Sequence, residues 1–279
     1  YWLLRKCSAT RRGCLLPATT TGCATILGVA EVTLTFHGEL NDFLPPARRG
    51  QAFVCAFNGP QSVKHLIEAA GVPHPEVAII LTDSRPVTFG SLPTSGQQID
   101  VYPEGSATLP GSPALRPPLP DPPAFLADNH LGRLARLLRL LGLDTAYDPA
   151  LDDEQLAETA AGEGRILLTR DRGLLKRRLV VWGYCLRTTD SRGQLLAVLR
   201  RYDLFDRVMP WARCLRCNGL LRPVDKAAVL DRLEPNTRLY YDSFRQCAAC
   251  EQVYWQGSHY DELAALVAEV QSEKRIARG

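Results

Sequence analysis

Three aspartates and four cysteines are the residues of this chain whose types and spacing can do chemistry. Asp128 directly follows the apolar run Phe125 to Ala127, and Asp171 comes just after the run Arg165 to Thr169. Asp153 opens the segment that feeds the second run, 18 residues before Asp171. If these runs are parallel strands, the three acids fall at or near the carboxyl edge, where open α/β sheets form their sites. Converging carboxylates repel unless a cation lies between them, and hard divalent ions prefer oxygen ligands. One or two Mg²⁺ or Mn²⁺ ions held there would activate a water and stabilise charge on a phosphate. Asp190 follows a further predicted strand and Asp152 precedes Asp153, so both are additional acids. A plainer reading competes: Asp at helix starts caps the helix, and Asp152 with Asp153 can be an N-cap pair.

The cysteines carry the sharper signal. Cys214 and Cys217 form one CxxC and Cys247 and Cys250 another, with 29 residues between the pairs. Four thiolates on two tight turns give tetrahedral Zn²⁺ coordination with no open position, which is a structural zinc site. A redox pair is the weaker alternative. Beyond the second pair, His259 can be a further ligand, a general acid or an RNA contact, and Tyr254 and Trp255 can stack on bases or pack on the ribbon.

Basic residues flank the acids. Arg133, Arg136 and Arg139 recur every third position along one side of a predicted helix, and Arg170 and Arg172 bracket Asp171, with Lys176, Arg177 and Arg178 close behind. Arginines beside a carboxylate cluster can hold a phosphodiester backbone. Singly, each also fits the solvated face of an amphipathic helix.

These residues need elements to position them. Strands are expected over 124–127, 144–147, 165–169 and 180–187, with helices over 130–142, 152–163, 173–178 and 194–201 between and after them. Alternation with short connections makes a parallel sheet flanked by helices the natural architecture. The stretch from residue 103 to residue 123 has eight prolines in 21 residues, a semi-rigid linker with no core of its own. Ahead of it, Val32, Leu34 and Phe36 alternate with polar residues. Further strands are expected over 52–57, 77–82 and 98–102. Val63, Leu66, Ile67 and Ala70 recur at helical spacing between Ser62 and Gly71. That order is a β-grasp, or ubiquitin-like, module. The expected division is an extension over 1–30, the β-grasp domain over 31–103, the linker over 104–123, the nuclease-type domain over 124–205 and the ribbon with a C-terminal helix over 206–279. A β-hairpin or a helix over 226–233 can fill the gap between the CxxC pairs.

Composition sets bounds. With a net charge of +3, any RNA surface must be a local patch. No apolar run reaches the roughly 20 residues needed to span a bilayer. Nine unevenly spaced cysteines fit a reduced cytoplasmic protein with one metal site better than a disulfide framework. The first 30 residues hold four basic residues and no acid, like a weak targeting peptide or an upstream extension.

FLADNHLGRLARLLRLLGLDTAYD, DDEQLAETAAGEGRILLTRDR, CLRCNGLL and CAACEQVYWQGSH resemble the Mut-seven C-terminal RNase family, over residues 124 to about 265. FHGELNDFL, SVKHLIEAAGVPHPEVAIIL and the terminal VYP are similar to the ubiquitin-like domain often fused ahead of it. The resemblance implies a PIN-like nuclease core with a zinc ribbon, and it matches Asp128, Asp153 and Asp171 to the PIN-type acidic positions. It implies a metal-dependent ribonuclease acting on RNA, with structural Zn and catalytic Mg or Mn. The alternative is a non-catalytic RNA- or ribosome-binding adaptor that uses the ribbon and the basic helix. A third is a scaffold led by the β-grasp domain. That domain runs VYPEG into the linker without a terminal Gly-Gly, so sulfur-carrier chemistry is not expected, and docking to a protein partner or positioning RNA is.

Overall fold

The computed structural model describes residues 29–104, 106, 112–257 and 260–276. All but the last two residues of the expected N-terminal extension lie outside that description, as does His259.

The first sheet contains β1 (Ala30–Phe36), β2 (Phe53–Phe57), β3 (Val77–Thr82), β4 (Arg85–Pro86) and β5 (Gln98–Pro103), with helix α1 (Val63–Ala70) between β2 and β3. Its order is β2-β1-β5-β3-β4. β1 and β5 are parallel and the other pairs antiparallel, the ubiquitin-like arrangement. Alternation along β1 buries Val32, Leu34 and Phe36 against Leu66 and Ile67 of α1. The Ser62 hydroxyl accepts the His65 N–H at the start of that helix. Gly71 ends it at φ 112°, a left-handed conformation that glycine adopts without a Cβ penalty.

The second sheet is wholly parallel. Its elements are β6 (Phe125–Ala127), α2 (Gly132–Leu140), β7 (Thr145–Tyr147), α3 (Asp153–Gly162), β8 (Ile166–Thr169), α4 (Arg172–Leu175), β9 (Gly183–Cys185) and α5 (Ser191–Arg201). The order is β7-β6-β8-β9. β6, β8 and β9 are buried along their whole length because helices cover the sheet, so these strands read as short apolar runs without alternation. The chain passes from β6 outward to β7, then returns across β6 to form β8 on its other side. The topological switch point therefore lies between β6 and β8. The strand expected over 180–187 contracts to Gly183–Cys185, with single backbone bonds to β8 from Trp182 and Leu186 on either side.

The third sheet is a small antiparallel one of β10 (Leu221–Val224), β11 (Phe244–Cys247) and β12 (Val253–Trp255). Two short helices, α6 (Lys226–Val229) and α7 (Pro235–Tyr240), occupy the gap for which a β-hairpin or a single helix was expected. Helix α8 (Tyr260–Ile276) then returns to the parallel-sheet domain, where Leu266, Val267 and Val270 enter its core.

The ubiquitin-like and parallel-sheet domains share a core. One buried cluster runs from Phe43, Val72 and Val77 to Leu126, Leu167, Leu175 and Val180. The proline-rich stretch is tied to this junction. Arg116 donates to the carbonyls of Pro75 and Val77, lies over the Trp182 ring and pairs with Glu104. Leu115 packs on the shared cluster, so the expected coreless linker is in part a clamp.

Glu76 sits at the centre of the contact and is fully buried. One carboxylate oxygen accepts the Cys185 N–H at 2.6 Å, covering the outer edge of β9. The other pairs with Arg201 at 3.2 Å, and Arg201 also pairs with Glu39. Burial pushes the Glu76 carboxyl above its ordinary range, with Arg201 opposing the shift. Above the unfolded value of 4.5 the folded chain holds a proton that the unfolded chain has lost. Glu76 protonation thus favours folding at low pH, and this contribution disappears as pH rises through the folded value. The stability of the native chain relative to a Glu76→Gln variant is expected to fall over that window. Urea midpoints of both chains across acidic to neutral pH measure it, and a constant difference would refute the assignment.

Candidate active site and metal centre

The acids expected to act together occupy one edge of the parallel sheet but hold different local jobs. Asp128 follows β6, and its N–H still pairs with the Leu168 carbonyl at 3.0 Å. Its side chain is 6% exposed and caps no helix. Its carboxylate accepts the hydroxyl of Thr169, the last residue of β8, at 2.5 Å. The same hydroxyl oxygen accepts the Asp171 N–H at 2.9 Å. One buried threonine thus fastens the two aspartates to each other across the switch point. Among the described residues no cationic side chain pairs with Asp128. A buried carboxylate with a single hydroxyl partner is costly unless something positive joins it.

Asp171 is exposed and caps α4. One oxygen accepts Gly173 N–H at 2.6 Å and Leu174 N–H at 3.4 Å. Asp153 projects from the first turn of α3 with half its side chain exposed, 3.9 Å from Arg177. Asp152 forms a capping box with Gln155, accepting the N–H groups of Glu154 and Gln155 at 2.9 Å. Asp190 caps α5 through Gly193 N–H at 2.7 Å. Asp152 and Asp190 are therefore occupied as helix caps. Asp128, Asp153 and Asp171, expected to converge, do not form a group of ligand atoms within 4.8 Å of one another among the described residues. Among the described residues the only metal-ready group of three or more ligands within 4.8 Å of one another is made of cysteines. Each acid is anchored by a different element, Asp128 by the end of β6, Asp153 by the first turn of α3 and Asp171 by the start of α4.

The loop after Asp128 is held in turn. Tyr147 of β7 donates its hydroxyl to the Asn129 carbonyl at 2.9 Å. A Cβ at Gly132 would stand 2.7 Å from that hydroxyl oxygen, so the first residue of α2 must be glycine for the ring to reach the loop.

The expected arginine stripe divides. Arg133, Arg136 and Arg170 are exposed. Arg139 is 3% exposed and cannot meet RNA. Its guanidinium donates to the carbonyls of Thr145, Leu215 and Arg216, locking α2 onto the first CxxC turn. Arg172 is also committed elsewhere. It donates to the Phe43 carbonyl at 2.9 Å and lies over the Phe43 ring, bracing α4 against the ubiquitin-like domain. Sequence periodicity cannot separate these fates, because all three positions on α2 lie on one side and the burial of Arg139 comes from the ribbon docking against its last turn.

Cys214, Cys217, Cys247 and Cys250 stand with their sulfurs all within 4.8 Å of one another. Cys214 and Cys250 are 3.6 Å apart, and Cys217 and Cys247 are 3.4 Å apart. Burial raises the Cys214 thiol, but hydrogen bonds from the Tyr254 hydroxyl and from backbone N–H groups outweigh it and bring it down to about 7. The first knuckle is also tied to the parallel sheet through Asn218. Its side chain accepts the Thr145 N–H at 3.1 Å and donates to Asp144 at 2.9 Å. Burial acts to raise the Asp144 carboxyl, yet bonds from Arg165 and Asn218 hold it below its ordinary range.

A parallel sheet with acids at its switch point, a ubiquitin-like domain before it and a four-cysteine cluster behind it can be compared with known families. The model of the Mut7-C RNAse domain matches residues 123–267, more than half of the chain. The chain belongs to the Mut7-C RNase domain family. Ahead of that domain the Mut7-C ubiquitin model matches residues 29–108. No curated protein and no solved structure matches the chain.

Within this Mut7-C domain, Thr169 and Tyr147 are the site residues that sequence reading missed. Thr169 carries a legible signal, as the one hydroxyl ending an otherwise apolar run just before Arg170 and Asp171. Tyr147 carries none, since an aromatic at a strand end usually packs in a core. No helix among the described residues is long and apolar enough to cross a membrane.

Proposed function

We propose that this Mut7-C protein is a metal-dependent ribonuclease whose site is the carboxyl edge between β6 and β8. The observation that carries the reading is Asp128, buried with no cation partner among the described residues and tied through Thr169 to Asp171. Hard carboxylate oxygens suit Mg²⁺ or Mn²⁺, and Mg²⁺ commonly takes only one or two protein carboxylates, with water and substrate phosphate filling the rest. The lack of a three-acid cage therefore fits an ion that arrives with its substrate. Asp128 and the second oxygen of Asp171 would hold it, with Asp153 across the opening. Bound there, the ion supplies an activated water and neutralises charge on the phosphodiester. The chain's own part is to hold Asp128 rigidly through Thr169, to keep Asp171 oriented by its cap bonds, and to offer Arg133, Arg136 and Arg170 to the RNA backbone.

The four cysteines would hold structural Zn²⁺. At Zn–S lengths of about 2.3 Å a tetrahedron sets sulfurs about 3.8 Å apart, close to the spacings here. The ubiquitin-like domain would serve as a brace, positioning α4 behind Asp171 through Arg172. Its outer face would take a protein partner, and the protein would act in the cytoplasm.

The zinc-loaded full chain is expected to cleave mixed RNAs in Mn²⁺ or Mg²⁺ and to leave them intact without either ion. The adaptor reading predicts salt-dependent RNA binding with no metal-dependent cleavage.

A further inference from the structure

A cleft of about 510 Å³ opens between the ribbon and the start of α8, and none of Asp128, Asp153 and Asp171 lines it. That volume lies within the range of small-ligand sites. Its walls carry four aromatic rings, those of Trp211, Tyr254, Trp255 and Tyr260. Trp211 and Tyr260 are stacked, with centroids 4.9 Å apart. Tyr254 is fixed by its hydroxyl, which meets the Cys214 sulfur and the Leu215 N–H at 3.1 Å each. Trp255 keeps 38% of its surface exposed. Arg245, opposite Tyr254 in the β11–β12 register, stands on the same wall. It is exposed, bonds only weakly to the Trp211 carbonyl at 3.4 Å, and has no carboxylate partner among the described residues. Rigid rings beside an unpaired guanidinium are the chemistry that grips an unpaired base and its phosphate.

We infer that this cleft binds a base of single-stranded RNA, at a distance from the site of cleavage. The inference rests on the RNA reading above and names its substrate form. Placement supports it. Arg139 ties the last turn of α2 to Leu215, and Leu215 lines the cleft. The exposed Arg133 and Arg136 lie on the same side of α2, between that turn and the loop that carries Asp128. α2 spans roughly 13 Å at 1.5 Å per residue, so a strand seated in the cleft can follow these arginines toward Asp128. Duplex RNA keeps its bases stacked inside and cannot enter.

The test uses the zinc-loaded full chain without Mg²⁺ or Mn²⁺, and a labelled oligouridylate as probe. Single-stranded probe is expected to bind and to quench tryptophan fluorescence. Trp255→Ala and Arg245→Gln are each expected to weaken its binding about tenfold or more, with duplex RNA binding unchanged. Both side chains are exposed, and melting midpoints monitor the fold. Failure of the wild type to bind, unaltered affinity in the Arg245→Gln chain, or equal losses for duplex would overturn the cleft. The two readings separate cleanly. Wild-type cleavage in Mn²⁺ with an unchanged KM in both variants removes the cleft and keeps the nuclease. Cleft-dependent quenching without cleavage removes the nuclease and keeps the cleft.

Discussion

Asp171→Asn is expected to slow Mn²⁺-dependent RNA cleavage on the order of 100-fold or more, about 2.7 kcal/mol of barrier, while leaving the fold intact. The two halves of this expectation come from the two oxygens of one side chain. One oxygen caps α4 through Gly173 and Leu174. Asparagine is as good an N-cap as aspartate, and its amide oxygen can accept the same bonds. The Asp171 N–H bond to Thr169 involves only the backbone on the aspartate side and survives the change. What is lost is the negative charge facing the opening, and metal-assisted phosphoryl chemistry draws several kcal/mol from such charge. Asp171→Ala removes cap and charge together and should lower the melting midpoint too. Rates and midpoints for the two variants therefore separate catalysis from capping. Full activity per folded molecule in the Asp171→Asn chain would return Asp171 to a purely structural role.

Removing the metal from the four-cysteine cluster should unfold the ribbon outright. Its own buried apolar core is Val229, Leu233, Phe244 and Val253 among the described residues, too little to hold three short strands. Structural zinc contributes apparent binding energies of roughly 10–16 kcal/mol at neutral pH, at least as much as the roughly 6–12 kcal/mol from burying those four side chains. The damage would spread through two named contacts. Arg139 would lose the Leu215 and Arg216 carbonyls while remaining at the end of α2, and Asn218 would release Asp144 and Thr145. Cys247→Ser should reproduce the effect, because Cys247 is buried and stands 3.4 Å from Cys217. Bound zinc per chain, far-ultraviolet dichroism and the melting midpoint follow it. A chain that keeps its midpoint after chelation would show that the cluster is not structural.

The order of domains was readable because its signals are local. Alternation along β1, the caps at Ser62 and Gly71, and two CxxC pairs each act within a few residues. Asp128 and Asp171 were readable as edge residues because they follow apolar runs that are parallel neighbours. Their connection through Thr169 was not, since it depends on β8 lying beside β6 and not beside β7. Arg139, expected to face RNA, is buried for the same reason, and Arg172, though exposed, is bound to the ubiquitin-like domain. Periodicity places both on helices, but the ribbon and the ubiquitin-like domain bury or bind them from outside. Glu76 had no signal at all. A glutamate before a buried strand looks solvated until a second domain covers it and β9 requires a partner for its last edge.

On the proposed reading, the edge between β6 and β8 holds a divalent ion together with RNA. Mn²⁺ binding to the zinc-loaded chain with an uncleavable RNA, read from the electron paramagnetic resonance signal of free Mn²⁺, tests it directly. The thiolate cluster is the wrong donor type to take up Mn²⁺ and does not confuse the measurement. Saturable uptake that depends on RNA and vanishes in the Asp128→Asn, Asp171→Asn double variant is the predicted result. Equal uptake by wild type and double variant would contradict the account.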